Sequence, residues 1–288
     1  MSLRLVLVIA SLTLREIARR RILWVLLGLS VASVVLVGWG VDRLVTFSRA
    51  EDVPEIQVRI GVSQVLILIA FMFSFVLAMS AAFMAAPAIA SDVETGTVSA
   101  MLARPLRRAE LVVGRWLGLS IVVSGYAALS GLLAIAAVGL VSGHMPPAPL
   151  VAVAFLAFQA VAVLTLALAL GTRLPSIAAG AITVVLFGLG WFAGVMSSIA
   201  VVFEAKPLAT LGEAVRVLIP TDGLWRGVIY GLEPPAVILA SVTRNAQAMR
   251  ANPFFAGEPP PAAFTAWAVA WVVLVLLGGI ALFRRREL

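Results

Sequence analysis

Long uncharged apolar runs alternate with short polar breaks along almost the whole chain. The six longest cover 22–41, 61–90, 116–143, 150–170, 177–203 and 264–283. Each is at least twenty residues long, enough to cross roughly 30 Å of hydrocarbon as a helix. The run 61–90 would be about 45 Å long, so it should tilt or protrude, with Pro87 placed to kink it near its end. Ahead of the first run, residues 3–20 place Arg4, Ser11, Arg15 and Arg19 on one side of a helix, with leucine, valine and isoleucine over the rest. That pattern predicts an amphipathic helix lying in the membrane interface; a ragged extension of the first span is the alternative. The apolar stretch Leu5–Leu12 is followed by arginines and no cleavage site, so it reads as retained.

The breaks are unequal. Residues 42–59 form a polar connection, and 144–147 and 172–175 are turns. Glycines 180, 188, 190 and 194 interrupt the fifth run, permitting close packing or local unwinding. Region 204–261 is the longest polar stretch, expected as an outer loop. Within it, 215–219 and 224–239 are largely apolar and predict short surface or re-entrant helices. Arg216, Arg226 and Glu233, with Pro220, Pro234 and Pro235, argue against a seventh crossing.

The charged stretch 91–114 is the organising break. Ser91 and Glu94 have capping-box spacing, which predicts a helix from Ser91 to about Ala103. Arg104-Pro105 should end it. Arg107, Arg108, Glu110 and Arg115 then open a second helix that runs into the third span. Glu94, Arg104, Arg107 and Arg108 suit charged contacts with a soluble partner, and Gly96 permits close approach. The same arginines would equally anchor a loop to anionic lipid headgroups.

Composition agrees with a membrane protein: 62% of the 288 residues are hydrophobic and 12% charged, where soluble domains carry about 25% charged residues. The formal charge of +7 does not point to nucleic acid, because it is concentrated on one side. Six crossings put both termini together with segment 91–114. That face collects thirteen basic residues and five acidic ones, leaving eight basic and nine acidic on the other. Basic residues near span ends mark the cytoplasmic side. The expected location is therefore a cytoplasmic (inner) membrane with both termini and 91–114 inside and 204–261 outside.

The six runs themselves contain no Asp, Glu, Lys, Arg or His, which weakens an ion-gradient carrier, since such carriers place relays at depth. Carbonyl sites at broken helices keep that alternative open. The sequence has one histidine, His144, and no cysteine, which excludes Cys-His catalysis and multi-histidine metal sites. No P-loop G-x-x-x-x-G-K-[ST] occurs, and the sole lysine, Lys206, lies in the expected outer loop. Energy from ATP would have to come through another chain. A scaffold that anchors an ATPase without transporting anything is the third reading.

The run Ser91-Asp92-Val93-Glu94-Thr95-Gly96-Thr97, continued by Leu102-Ala103-Arg104-Pro105, Arg108-Ala109-Glu110-Leu111, Gly114-Arg115 and Leu117-Gly118, resembles the permease subunits of ABC-2 type ABC exporters. The likeness is to the six-span permeases that include the NosY-like group. Val98 stands where that family often has leucine, and Arg115 where it commonly has lysine; the apolar contact and the charge are kept. The stretch ending at Arg21, with Thr13 and Arg15-Glu16, is similar to the family's N-terminal elbow helix. Leu218–Trp225, with Ile219-Pro220-Thr221-Asp222-Gly223, is similar to its segment before the last span. The resemblance implies one all-α transmembrane domain over 1–288, with an elbow helix at 3–20 and a coupling helix between spans two and three. It implies that Ser91, Asp92, Glu94, Gly96, Val98, Arg104, Pro105 and Arg108 meet a separate ATP-binding subunit, present in two copies and carrying ATP and magnesium. No cofactor is expected on this chain. A second permease chain, expected to be identical, membrane lipids and an extracytoplasmic partner for the outer loop complete the implied assembly. Substrate and direction of transport are left open.

Overall fold

The computed structural model describes residues 2–19, 21–94, 107–235, 237 and 252–286. Within them the chain is all-α, with six helices long and apolar enough to cross a membrane. An apolar run can span only if its backbone groups pair within the segment, which a helix achieves. The helices are α1 Leu3–Ala18, α2 Arg21–Ala50, α3 Glu55–Ala85, α4 Pro87–Glu94 and α5 Arg108–Ser142, followed by α6 Pro149–Gly171, α7 Ser176–Val202, α8 Lys206–Leu218, α9 Thr221–Leu232 and α10 Ala262–Arg284. α6 is the hub, packing on α3, α5, α7, α9 and α10, and its interior residues Leu164, Ala167 and Leu168 are fully buried.

Several helices overrun their apolar runs. α2 continues through Asp42, Arg43 and Arg49, so the predicted connection 42–59 shrinks to residues 51–54 between α2 and α3. Charges end a membrane crossing but not a helix. Beyond the hydrocarbon they are solvated, and Arg43 also sits 5.9 Å from the Trp39 ring centroid. Asp52 takes the left-handed conformation that turns the chain back (φ 49°).

The helix start expected at Ser91 is not there. Pro87 has no N–H to continue the α3 ladder and instead opens α4 at its first position. Ser91 lies inside α4, and its hydroxyl donates to the Pro87 carbonyl at 2.5 Å, back-bonding its own helix rather than capping one. The remainder of the expected coupling helix, with the Arg104-Pro105 break, lies outside the described residues.

Region 204–261 departs most from an outer loop. After α7, helix α8 doubles back along it: a Cβ on Gly212 would meet the Ala193 carbonyl oxygen, and one on Gly190 would meet Ile219. At Pro220 the chain turns into α9. Gln159 donates to the Thr221 carbonyl at 3.1 Å, and Ala148 donates to the Gly231 carbonyl at 3.1 Å. α9 therefore runs antiparallel to α6, from the middle of that helix back to its start. Gln159 lies roughly 15 Å along α6, so the α8–α9 hairpin reaches about half-depth and returns. α9 is almost wholly buried, including Leu224, Trp225, Val228 and Ile229. Trp225 joins an aromatic core with Phe71, whose ring lies 5.6 Å from it and 5.3 Å from Trp191. α7 stays continuous past its glycines; Gly190 and Gly194 serve packing against the hairpin, and Gly180 lies against Phe83 of α3.

Candidate functional site

One end of the bundle gathers α1, the start of α2, the end of α4, the start of α5, the α6–α7 turn and the end of α10. Its polar side chains form a connected set around the two stems, Glu94 and Arg107, of segment 95–106. Arg115 on α5 donates to Asp92 of α4 at 2.9 Å and to Glu16 of α1 at 2.7 Å. Its side chain is only 14% exposed, so this guanidinium holds three helices in one two-armed, charge-assisted contact. Glu94 accepts the Ser176 backbone N–H at 2.9 Å. Ser176 is the first residue of α7, where unpaired N–H groups and the helix dipole favour a carboxylate.

The start of α5 is fixed in the same way. Glu110 accepts the Arg107 N–H at 3.0 Å and the Ser2 N–H at 2.6 Å, which ties the front of α1 to α5. Farther along, Gly114 and Gly118 give α1 its seat: a Cβ on Gly118 would lie 2.9 Å from the Ala10 carbonyl oxygen and 2.8 Å from Thr13 Cβ. Arg108 donates to the carbonyls of Phe283, Arg284 and Arg286 at 2.9, 3.1 and 2.6 Å. It thereby satisfies the carbonyl end of α10. Arg286 in turn donates to the Thr172 carbonyl at 2.7 Å in the α6–α7 turn.

Of the residues singled out from sequence, Asp92, Glu94 and Arg108 therefore meet at this basic end, each engaged with another helix of the same chain. Ser91 is one turn away inside α4. Gly96, Val98, Arg104 and Pro105 lie outside the described residues. Sequence reading passed over Glu16 and Glu110 as partners; the signal for Glu110 was the Arg107-x-x-Glu110 spacing at a helix start.

A second polar set sits at the hairpin tip, where the sequence predicted none at depth. Asp222, 5% exposed, accepts from Arg216 at 2.9 Å and from Arg226 at 3.3 Å through one carboxylate oxygen. Arg226 also donates to Ser198 on α7 at 2.9 Å. The six apolar runs are free of charge, but the hairpin carries Asp222, Arg216 and Arg226 to about half-depth from region 204–261, within which short surface or re-entrant helices were expected. Gly194 makes room, since a Cβ there would overlap the Asp222 carboxylate. The carbonyls of Val217 and Leu218 at the end of α8, two residues exposed on the flank of the bundle, accept from the indoles of Trp267 and Trp271 at 2.9 and 2.8 Å. A helix end at membrane depth requires such partners.

Among the described residues, no group of three or more His, Cys, Asp or Glu side chains is placed to hold a metal. The family model described as ABC-2 family transporter protein matches residues 7–288, nearly the whole chain. The chain belongs to the ABC-2 transporter family. It is a multi-pass membrane protein with no nucleotide-binding or catalytic motif of its own, and membership in this family implies pairing with an ATP-binding cassette subunit. A search of curated proteins gave no match. In this ABC-2 permease the basic-end network takes in the described flanks, 91–94 and 107–114, of the segment singled out from its sequence, while the hairpin set lies half a membrane away.

Proposed function

We propose that the chain is the permease subunit of an ATP-driven exporter, moving a solute or lipid outward through alternating access. Two ATP-binding subunits, with ATP and magnesium, would dock on the basic end, which faces the cytoplasm together with both termini. A second permease chain, expected to be identical, completes the path. The observation that carries this reading is the bridging of α1, α4 and α5 by Arg115, with Glu94 joining α4 to α7. A displacement of segment 95–106 by a partner would be delivered at once to three spanning helices and to α1. In this reading α1 is the elbow helix, and Ser91–Ala103, with Glu94, Gly96, Val98, Arg104 and Pro105, supplies the coupling surface. The NosY-like six-span group is the proposed branch.

Asp222, Arg216 and Arg226 at half-depth favour a second reading, a carrier driven by an ion gradient, because such groups serve as proton relays. Against it, the single carboxylate is already engaged by two guanidiniums, at 2.9 and 3.3 Å, and both of them belong to the same hairpin. The discriminating experiment isolates the full chain from native membranes in mild detergent, reconstitutes what co-elutes and measures ATP hydrolysis and transport. Nucleotide-dependent transport that survives ionophores is expected. Transport that needs no ATPase and collapses with the gradient would overturn the proposal.

A further inference from the structure

α3 and α5 enclose a groove that none of the coupling contacts uses. Its deep part, a cavity of about 190 Å³, lies between α2, α3, α5, α6 and α9. Leu29, Met72 and Val76 stand at its rim and are exposed on the lipid-facing surface. α2 rests mainly on α5 and touches α3 little, so the cavity opens sideways. Its polar atoms are tied to one another: Ser130 donates to Ser30 at 3.2 Å, and Ser30 bonds Tyr126 at 2.6 Å. A buried water needs two to four polar partners, and apolar voids of this kind stay dry and take apolar guests; one of about 150 Å³ accepts benzene.

Nearer the end opposite the arginine-rich face lies a second cavity, about 260 Å³, lined by Arg59, Ser63, Leu66 and His144 among others. Leu66 borders both cavities. On α3 the wall residues run Arg59, Val62, Ser63, Leu66, Ile69, Phe73, the three-and-four spacing of one helix face. The mouth carries both signs of charge, because Arg59 donates to Glu55 at 2.6 Å and His144 lies 3.7 Å from the same carboxylate; the groove is apolar at mid-depth, over roughly 25 Å from Arg59 to Val76. The hydrocarbon half-thickness is roughly 15 Å.

We infer that this groove binds a zwitterionic membrane phospholipid from the leaflet opposite the basic end, with its phosphate at Arg59 and His144, its ammonium group at Glu55, and one acyl chain in the chamber floored by Ser30, Tyr126 and Ser130. The inference does not depend on the ATP-driven reading. Its test uses the full chain in phospholipid nanodiscs containing a trace of phosphatidylethanolamine with a diazirine on one acyl chain. Photo-adducts are mapped by peptide mass spectrometry, and Leu140, exposed on the lipid face, serves as the internal standard.

Adducts should concentrate on Met72, Phe73 and Ser130. Ala134→Phe, which fills the chamber from α5, should lower them about tenfold relative to Leu140, and Ala70→Phe, from α3, should do the same if the first variant folds poorly. Arg59→Glu should lower them less and shift the remainder along the chain. Adducts no more frequent in the chamber than at Leu140, or unmoved by both filling variants, would overturn the inference, as would chamber crosslinks to a second copy of the chain.

Discussion

Replacing Asp222 with Asn keeps the shape of the side chain at the hairpin tip and removes only its charge. The carboxylate is 5% exposed and accepts from two arginines, at 2.9 and 3.3 Å. Hydrogen bonds to charged groups contribute roughly 1.5–3 kcal/mol each. Both bonds end on one oxygen, and the arginine side chains are 23% and 29% exposed, so screening reduces the sum. The expected loss is about 2–3 kcal/mol. Gly194→Ala approaches the same point from α7, because its Cβ would overlap the carboxylate, and overpacking of this kind costs about 1–3 kcal/mol. The two effects meet at one carboxylate, so the double variant Gly194→Ala/Asp222→Ala should cost less than the sum of Gly194→Ala and Asp222→Ala measured singly. Denaturant titration in mild detergent, followed by tryptophan fluorescence, reads all four corners of this cycle. A loss under about 0.5 kcal/mol for Asp222→Asn, or strict additivity, would refute the buried ion cluster as the clamp on the hairpin.

Other outcomes follow from the basic end and the far end. Gly118→Leu should lift α1 from α5, because the Ala10 carbonyl cannot retreat without moving the helix; limited proteolysis in nanodiscs should then cut after residue 18, and full protection would contradict the seating. Burial raises the Glu233 carboxyl to about 7 from 4.5. The native state thus favours the protonated form, and its contribution is complete below about 4.5 and lost as pH rises through about 7. The unfolding temperature of the wild type should fall as pH rises from about 4.5 to about 7 and level off above, whereas Glu233→Gln should flatten that slope; parallel slopes would remove Glu233 as the cause. Glu94→Lys places a cation at the α7 N-terminus, disfavoured by roughly 1 kcal/mol. The chain should still insert, but hydrolysis by its partner should no longer drive transport, and an unchanged transport-to-hydrolysis ratio would count against the coupling route.

The six crossings were readable because an uncharged run of twenty residues has few alternatives to a membrane helix. Helix ends were less readable, since Asp42, Arg43 and Arg49 sit on turns beyond the hydrocarbon, where charge carries no penalty. Ser91 and Glu94 had the spacing of a cap, yet Pro87 four residues earlier had already set the helix start. The hairpin was legible in part: 215–219 and 224–239 read as short surface or re-entrant helices, and Asp222, the partner of Arg216 and Arg226, is only six and four residues from them, but what holds the end of α8 is remote in sequence. Trp267 and Trp271 lie about fifty residues away. A local signal was nonetheless present in Gly223, Gly227 and Gly231, a four-residue repeat of the small residues that let helices approach closely. Arg115 stood out by resemblance, but its partners Asp92 and Glu16 are 23 and 99 residues away, and only the fold brings them together.

Site-specific photocrosslinking from position 98 in native membranes tests the central claim most directly. A photoreactive residue replacing Val98 should capture a P-loop ATPase, identified by mass spectrometry of the adduct, and added nucleotide should change the yield. Capture of lipid alone, by a chain that is abundant and correctly inserted, would contradict an ATP-driven permease coupled through segment 91–114.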